Sequence, residues 1–361
     1  MSKKPLFWIG PLALFGLVSI GAASSAAATR HVTAPTPRVA TRVRATTTHR
    51  IGHATSNHAP KRTLYSADRS LTRKAKLARA HSIATAREMA ETVLPRFKID
   101  ASGELVPDVR AAAAIIYNPD TNEVLWEENS QTPRSIASIT KVMTAIAFLE
   151  NDPDVTQSVA IDRTDVFQAS TTHLRVNDHV TVDDLLHLLL ISSDNAAARA
   201  LARISPQGSE GFVRRMNEKA AELGLESTSY ADPSGLLSDN VSSAYDMARL
   251  ITHASGDERI ASIMRLSEYT VYTPKRAIAF HSTNHLLGRE ELDVRAAKTG
   301  FISKAGYCLA TLLRLPQNGQ QVAVVVLGAR SNAGRFMETQ NLFTWLSTKA
   351  ATLFAPKPQI Q

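Results

Sequence analysis

The sequence divides into a polar N-terminal part and a longer part that has enough apolar residues to form a hydrophobic core. Residues 29 to about 90 are rich in Thr, Ala, Arg, His and Pro, and they contain few large apolar residues before Leu64. Such a segment buries too little apolar surface to offset the entropy that ordering would cost. We therefore predict that residues 29–98 form a disordered, low-complexity linker and that residues 99–361 form the folded domain.

The charge of the chain follows the same division. The formal net charge of +8 would by itself suggest a nucleic-acid partner. However, residues 29–98 contain 15 basic and 3 acidic residues, whereas residues 99–361 contain 24 basic and 30 acidic residues. The folded domain is thus mildly acidic, and no nucleic-acid partner is expected. The basic linker is interpreted as a solvated tether, with association to an anionic wall polymer or membrane surface as the alternative.

The first 28 residues have the features of an export signal. Two lysines precede an uncharged, mostly apolar stretch at residues 5–23, and three alanines at residues 26–28 fit a cleavage site. An uncleaved signal anchor is the alternative, because the uncharged stretch nearly reaches the roughly 20 residues that span a bilayer. In both cases the protein is expected to be exported, to the periplasm or the cell-wall space.

The order of the predicted elements indicates the fold class. Two strand-like runs, separated by a hairpin signal, are found at residues 111–117 and 123–126. Helices are predicted at residues 136–150, 182–191, 195–204, 212–223 and 244–254. Further strands are predicted at residues 269–272, 295–299, 307–314 and 322–327, before a last helix at about 333–354. This order predicts an α/β domain with a mostly antiparallel sheet flanked by helices, and with an apolar helical subdomain.

The candidate nucleophile lies in the first predicted helix. The neighbours of Lys141 are nearly all apolar, and burial favours the neutral form of a lysine, which can then act as a base. Ser138 lies three residues earlier, on the same face of the helix. A serine hydroxyl beside a neutral amine is an activated nucleophile. A helix-start serine and a surface lysine would be the alternative interpretation of this S-x-x-K match.

Two further motifs follow in the order S-D-N and K-T-G. Ser193-Asp194-Asn195 lies between two apolar helices, where helix capping would also explain it. Lys298-Thr299-Gly300 ends a strand-like run and would also fit a simple turn. Together with S-x-x-K, they match the signature set of penicillin-interacting serine enzymes. A second S-D-N, at residues 238–240, lies in a turn-rich stretch and is interpreted as loop structure.

From about Ala111 to Phe354 the chain resembles the serine D-Ala-D-Ala carboxypeptidases, the low-molecular-mass penicillin-binding proteins. The matching stretches are RSIASITKVMTA, LLISSDNAAARALA, DPSGLLSDNVSSAYDMARL, STNHLL and AAKTGFISKAGYCLA. Within this family, TNHLL, KTGF and GYCLA are most similar to the penicillin-binding protein 7 type, a D-alanyl-D-alanine endopeptidase. The resemblance implies a serine β-lactamase/DD-peptidase-like fold and a hydrolase that acts on peptidoglycan peptides and is inhibited covalently by β-lactams.

The resemblance also implies catalytic roles for three residues. Ser138 attacks the carbonyl of the penultimate D-Ala and forms an acyl-enzyme. Lys141 takes the proton of the serine as general base. Ser193 relays a proton toward the leaving amine, and water then hydrolyses the acyl-enzyme.

Five more residues are implied in substrate binding. Asn195 holds the amide on the acyl side, and Lys298 and Thr299, followed by Gly300, bind the free carboxylate of the substrate. The backbone N–H of Phe301 completes the oxyanion hole together with the N–H of the nucleophile. The same carboxylate clamp suits a terminal D-Ala or the D-centre of diaminopimelate in a cross-link. The family subtype, and the 61 residues that follow the K-T-G motif, favour endopeptidase activity over carboxypeptidase activity.

No metal or cofactor is expected. Cys308 is the single cysteine, which excludes an intramolecular disulfide and a cysteine-based metal site, and it is predicted to be a buried apolar residue in a strand. His281 and His285 would align only on a helix, but the stretch FHSTNH favours a loop. Two other functions remain open. A serine β-lactamase of class A would need a deacylating glutamate, for which no E-x-E-L-N-type motif follows Asn195, and a non-catalytic wall-binding protein would need no nucleophile.

Overall fold

The computed structural model describes residues 75–79, 82, 86, 90 and 93–353. The predicted export signal and most of the predicted linker lie outside these residues. The first strand, β1 (Phe97–Ile99), pairs with β2 (Leu105–Pro107), so strands begin two residues before the predicted start of the domain. The described residues 75–79, 82, 86 and 90 of the predicted linker are helical. Within the described part of the chain, no helix combines the length and apolar character needed to cross a membrane.

The remaining strands are short in the middle of the chain and long at its end. In chain order they are β3 (Ala113–Asn118), β4 (Glu123–Glu128), β5 (Arg134–Ser135), β6 (Ser158–Ala160), β7 (His179–Thr181), β8 (Val241–Ser242), β9 (Glu268–Tyr272), β10 (Ala277–His281), β11 (Asp293–Ile302), β12 (Gly306–Arg314) and β13 (Gln321–Ala329). One antiparallel sheet with the order β11-β12-β13-β3-β4 forms the centre of the fold. Strand β11 is therefore an edge strand.

Most helices lie between β5 and β9, as the sequence predicts. In chain order they are α1 (Thr140–Leu149), α2 (Arg163–Val166), α3 (Val182–Leu190), α4 (Asn195–Ile204), α5 (Gly208–Glu222), α6 (Ala244–Ser255), α7 (Glu258–Met264) and α8 (Asn332–Leu353). A 3-10 turn (Ala137–Ile139) leads directly into α1. The bounds of α1, α3, α4, α6 and α8 agree with the predicted helices to within a few residues.

Both faces of the central sheet are covered by helices. Successive side chains of a strand point to opposite faces, and β13 is apolar on both. Ala323, Val325 and Leu327 belong to a hydrophobic cluster with the central helices, whereas Val322, Val324 and Val326 belong to a second cluster with α8. The predicted antiparallel sheet flanked by helices is thus confirmed.

The apolar helical subdomain is built around α1. Every residue from Thr140 to Leu149 is buried, so this helix has no solvent-facing side. Helices α4, α5 and α6 pack beside α1 in the same hydrophobic cluster. Because α1 also follows the turn that holds Ser138, this rigid core fixes the position of the candidate nucleophile.

Several short elements were not predicted from the sequence. Helix α7 begins at the cap Asp257, whose side chain accepts a hydrogen bond from the N–H of Arg259. Strand β10 was not predicted, and it includes Phe280 and His281 from the stretch FHSTNH that was interpreted as a loop; β10 pairs with β9 over five residue pairs. These elements have too few residues for a clear hydrophobic period, and their formation depends on neighbours distant in the sequence.

Candidate active site

The side chains of Ser138 and Lys141 meet where the 3-10 turn passes into α1. The distance between Lys141 Nζ and Ser138 Oγ is 3.0 Å. The amine also donates hydrogen bonds to Asn195 Oδ1 at 2.6 Å and to the carbonyl oxygen of Ser234 at 2.5 Å. Lys141 is 0% exposed. Three oxygen atoms and an apolar helix thus surround the amine.

Burial controls the protonation of Lys141. It lowers the pKa of the amine to about 7, against the opposing effects of the Asp232 and Asp194 carboxylates. A neutral amine has two protons and a lone pair. It can therefore donate to Asn195 and Ser234 while it accepts the hydroxyl proton of Ser138.

A second buried lysine binds the second candidate serine. Lys298 Nζ lies 2.8 Å from Ser193 Oγ and 3.0 Å from the carbonyl oxygen of Thr299. Burial, reinforced by the charge of Lys141, holds the pKa of Lys298 well below its usual value. The S-D-N and K-T-G motifs, which are 105 residues apart from Ser193 to Lys298, are thus joined by a direct hydrogen bond.

The three residues of the first S-D-N motif have different environments. Ser193 has a φ of +62°, which turns the chain just before α4. Asp194 is the N-cap of α4 and accepts a hydrogen bond from the N–H of Ala197. Burial raises the pKa of Asp194. Asn195 donates from Nδ2 to the carbonyl oxygen of Ala169 at 2.7 Å, so both polar atoms of its amide have protein partners.

A cavity of about 530 Å³ opens above the nucleophile. Six of the eight predicted site residues line this cavity: Ser138, Ser193, Asn195, Thr299, Gly300 and Phe301. The other two, Lys141 and Lys298, lie beneath it and contact lining residues. The structure therefore brings all eight residues together.

Gly300 allows the edge strand to approach the nucleophile. A Cβ at this position would lie 2.6 Å from the carbonyl oxygen of Ile136 and 3.2 Å from the nitrogen of Ser138. A side chain would force the strand away from the 3-10 turn. Phe301 is the next residue, so its backbone lies beside that of Ser138 at the edge of the sheet.

The second S-D-N motif supports the site from outside the cavity. Ser238 and Asp239 are exposed, whereas Asn240 is buried and donates to Asp232 Oδ1 at 2.5 Å. Asp232 also accepts a hydrogen bond from the N–H of Ser234 at 2.9 Å. This network holds the loop whose Ser234 carbonyl oxygen faces Lys141.

Arg335 is the main feature of the site that sequence reasoning missed. It lines the cavity from α8, is 6% exposed, and donates to the carbonyl oxygens of Gly300 at 3.0 Å and Cys308 at 3.1 Å. No carboxylate among the described residues forms an ion pair with it, and burial lowers its pKa to about 10. A single arginine in a helix is usually a surface residue, so the sequence carried no signal for this position.

His281, His285 and Cys308 are not among the residues that line the cavity. His281 is an exposed residue at the end of β10 beside Glu268, and the ring of His285 stacks on Phe336 at 4.9 Å. Among the described residues, no group of three or more His, Cys, Asp or Glu side chains is arranged to hold a metal ion. Cys308 is fully buried in β12, which confirms its predicted apolar character.

Comparison with known proteins assigns the chain to a family. The family model described as D-alanyl-D-alanine carboxypeptidase matches residues 100–331. The chain belongs to this peptidase family. Membership in the D-alanyl-D-alanine carboxypeptidase family confirms the predicted family and the predicted hydrolase class.

Two similar proteins and one solved structure illustrate the similarity. The D-alanyl-D-alanine endopeptidase of Escherichia coli (strain K12) is 32% identical over 246 residues, which are 67% of this chain and 79% of that protein. The D-alanyl-D-alanine carboxypeptidase DacF of Bacillus subtilis (strain 168) is 32% identical over 227 residues, 61% of this chain and 57% of that protein. The solved structure of the Streptomyces K15 DD-transpeptidase has a TM-score of 0.61 and 27% identity, covering 66% of this chain and 97% of that one. The predicted fold is confirmed.

Proposed function

We propose that the chain is a serine DD-peptidase that cleaves peptidoglycan stem peptides through an acyl-enzyme on Ser138. The observation that carries the proposal is the 3.0 Å contact between Lys141 Nζ and Ser138 Oγ. The amine is buried, and its pKa of about 7 leaves a large neutral fraction near neutral pH. A structural lysine would normally be charged and paired with a carboxylate, whereas this one is placed to accept a proton.

The proposed reaction begins with the attack of Ser138 Oγ on the carbonyl carbon of D-Ala. Lys141 takes the hydroxyl proton, and the N–H groups of Ser138 and Phe301 stabilise the oxyanion. The C–N bond then breaks as the leaving amine receives a proton through Ser193, whose hydroxyl is bound to Lys298. Water attacks the resulting ester, which releases the acyl product and restores the serine.

Asn195 is proposed to position Lys141 as well as the substrate. Its Oδ1 accepts a hydrogen bond from Lys141, and its Nδ2 donates to Ala169. One lone pair of Oδ1 remains for an N–H on the acyl side of the substrate. The residue therefore links the general base to the bound peptide.

The free carboxylate of the substrate is proposed to bind near the Thr299 hydroxyl, the Lys298 amine and the Arg335 guanidinium. Thr299 Oγ1 lines the cavity and lies 2.6 Å from Thr283 Oγ1. Lys298 lies beneath it, and Arg335 contributes a positive charge with no carboxylate partner in the described part of the chain. A buried guanidinium without an acidic partner is a suitable environment for an anionic ligand.

The preferred substrate is proposed to be a D-Ala–diaminopimelate cross-link, which makes the chain an endopeptidase. The relative named endopeptidase is covered over 79% of its length, compared with 57% for the relative named carboxypeptidase. Digestion of purified cross-linked muropeptides with a mass readout tests this preference. Monomers released from dimers are expected, whereas loss of a single D-Ala from pentapeptides without dimer cleavage would indicate a carboxypeptidase.

Replacing Ser138 by alanine is expected to abolish covalent labelling by fluorescent penicillin, because no other nucleophile stands beside Lys141 in the described structure. The melting temperature should change little, since only one hydroxyl is removed. Ser303→Ala is the matched control, because Ser303 lines the same cavity but is exposed. A wild-type chain that fails to label would contradict the proposal and favour a non-catalytic wall-binding protein.

A serine β-lactamase is distinguished by the fate of the acyl-enzyme. Class A enzymes deacylate with the help of a glutamate near the nucleophile. Among the described residues that line the cavity there is no aspartate or glutamate. A stable penicilloyl adduct is therefore expected, and rapid turnover of nitrocefin would contradict it.

The N-terminal segments are proposed to export the protein and tether it outside the cytoplasm. Residues 1–28 would act as the export signal, and the basic residues 29–98 as a spacer. Deletion of residues 29–90 is expected to leave both retention on isolated sacculi and penicillin labelling unchanged. Loss of retention with intact labelling would instead indicate adhesion of this segment to an anionic wall polymer.

A further inference from the structure

An aromatic side chain lines the cavity beside the proposed carboxylate clamp. Phe301 is 49% exposed and is the single aromatic residue among the described residues of the cavity wall. Most of the other lining residues are serines and threonines. A large apolar ring that remains exposed in such a cavity is available to contact a ligand.

The ring of Phe301 is held in place before any ligand binds. Phe301 pairs with Tyr307 across β11 and β12, and the two rings stack with centroids 4.2 Å apart and an interplanar angle of 25°. The guanidinium of Arg335 lies 5.6 Å from the centre of the Tyr307 ring and donates to the carbonyl oxygen of Gly300. A ring ordered in this way loses little conformational freedom when a ligand packs on it.

The position of Phe301 on β11 places its ring near the site proposed for the leaving group of the substrate. Residues two apart in a strand point to the same face and are about 7 Å apart. Phe301 therefore extends from the same face as Thr299, whose hydroxyl is proposed to bind the substrate carboxylate. That carboxylate is attached to the α-carbon of the leaving residue, so the side chain of the leaving residue begins within reach of the ring.

We propose that the stacked pair Phe301–Tyr307 determines specificity for the leaving group, by packing against the aliphatic chain of diaminopimelate in a cross-link. This inference rests on the proposed function. A leaving D-Ala ends at a methyl group and does not extend along the strand. Diaminopimelate carries three methylene groups between its two centres, which suit an apolar ring beside a carboxylate site.

The wall of the cavity beyond Phe301 leaves space for this chain. Ile302 and Ser303 continue the cavity wall toward the turn between β11 and β12. The cavity volume of about 530 Å³ exceeds what one alanine needs. The second peptide of the cross-link would leave along the turn, where Ser303 and Lys304 are exposed.

The test compares two substrates on the same full-length enzyme. We expect Phe301→Ala to lower the ratio of kcat/KM for a D-Ala–diaminopimelate dimer to kcat/KM for D-Ala release from a pentapeptide by about tenfold, the usual effect of losing a few methylene contacts. Acylation by penicillin serves as a second reference reaction. Any disturbance of the oxyanion hole affects all three reactions and cancels in the ratios.

Two further variants make the result decisive. Phe301→Gln keeps the length of the side chain but not its apolar ring, and it is expected to lower the ratio to a similar extent even if the alanine variant folds poorly. Phe167→Ala removes another exposed aromatic ring, 62% exposed and outside the cavity wall, and should leave the ratio unchanged.

The outcomes separate this inference from the proposed function. Dimer cleavage by the wild type with an unchanged ratio in both Phe301 variants would overturn the inference and leave the proposed function intact. A wild-type chain that is not acylated by penicillin and cleaves neither substrate would overturn both.

Discussion

Replacement of Lys141 by methionine is expected to slow the acylation of Ser138 by about a thousandfold, within the usual range for the loss of a general base. Methionine fits the apolar surroundings of the amine, but it cannot accept the proton of the serine. The second-order rate constant of penicillin labelling measures the effect directly. Lys275→Met removes an exposed lysine and should label at the wild-type rate.

Lys141→Arg distinguishes a base from a mere positive charge. Arginine keeps the charge but is not deprotonated in proteins, so it cannot accept the serine proton. It should therefore be as slow as the methionine variant. Labelling by Lys141→Arg near the wild-type rate would contradict the role of general base. Melting temperatures of both variants verify that the loss is not caused by unfolding.

The pH dependence of acylation follows from the same amine. Only neutral Lys141 can act as a base, and its pKa of about 7 lies below the usual lysine value because of burial. Below pH 7 the neutral fraction falls with decreasing pH, so the acylation rate should decrease about tenfold per pH unit. Above pH 7 the rate should level off. A rate that stays constant from pH 5 to pH 9 would contradict this assignment.

The parts of the site that were predictable from the sequence depend on local geometry. Ser138 and Lys141 are three residues apart on one helical segment, so their proximity follows from helix periodicity alone. The apolar surroundings of Lys141 also follow from its neighbours in the sequence. The lowered pKa therefore needed no knowledge of the tertiary structure.

The contacts between motifs required tertiary structure. The hydrogen bond between Ser193 and Lys298 joins a helix start to an edge strand, and neither sequence motif specifies the other. The two S-D-N motifs have the same composition. Their sequence contexts, apolar helices around the first and a turn-rich stretch around the second, distinguished the cavity residue Asn195, but only the packing shows that Asn240 supports the loop beside Lys141. For these features the family resemblance supplied what periodicity could not.

The contributions of backbone groups and of isolated side chains to the site could not be predicted from the sequence. The carbonyl oxygen of Ser234 faces Lys141 because of a loop conformation that Asp232 maintains. Arg335 reaches the cavity from α8, at the opposite end of the domain sequence from Ser138. No hydrophobic period or spacing marks either group, because their roles depend on the packing of distant segments.

Gly235→Ala is expected to damage both the fold and the acylation of Ser138. A Cβ on Gly235 would lie 2.1 Å from the carbonyl oxygen of Ala137 and 2.9 Å from the nitrogen of Ser138. These are backbone atoms, so no side-chain rotation relieves the contact. The turn that carries the nucleophile must move, and a displacement of about 1 Å typically costs about a hundredfold in rate. Penicillin labelling kinetics measure this loss.

Gly288→Ala separates the steric clash of an added Cβ from the backbone strain of a residue with positive φ. Gly288 has a φ of +78°, the same as Gly235, but no atom lies within 4 Å of its added Cβ. Its replacement should therefore cost only the strain of a left-handed alanine, about 1 kcal/mol, or about 3 °C in melting temperature, and should leave acylation unchanged. Gly235→Ala should cost about 4 kcal/mol or more. If the two variants lose the same stability and label equally fast, the loop around Gly235 does not hold the nucleophile in place.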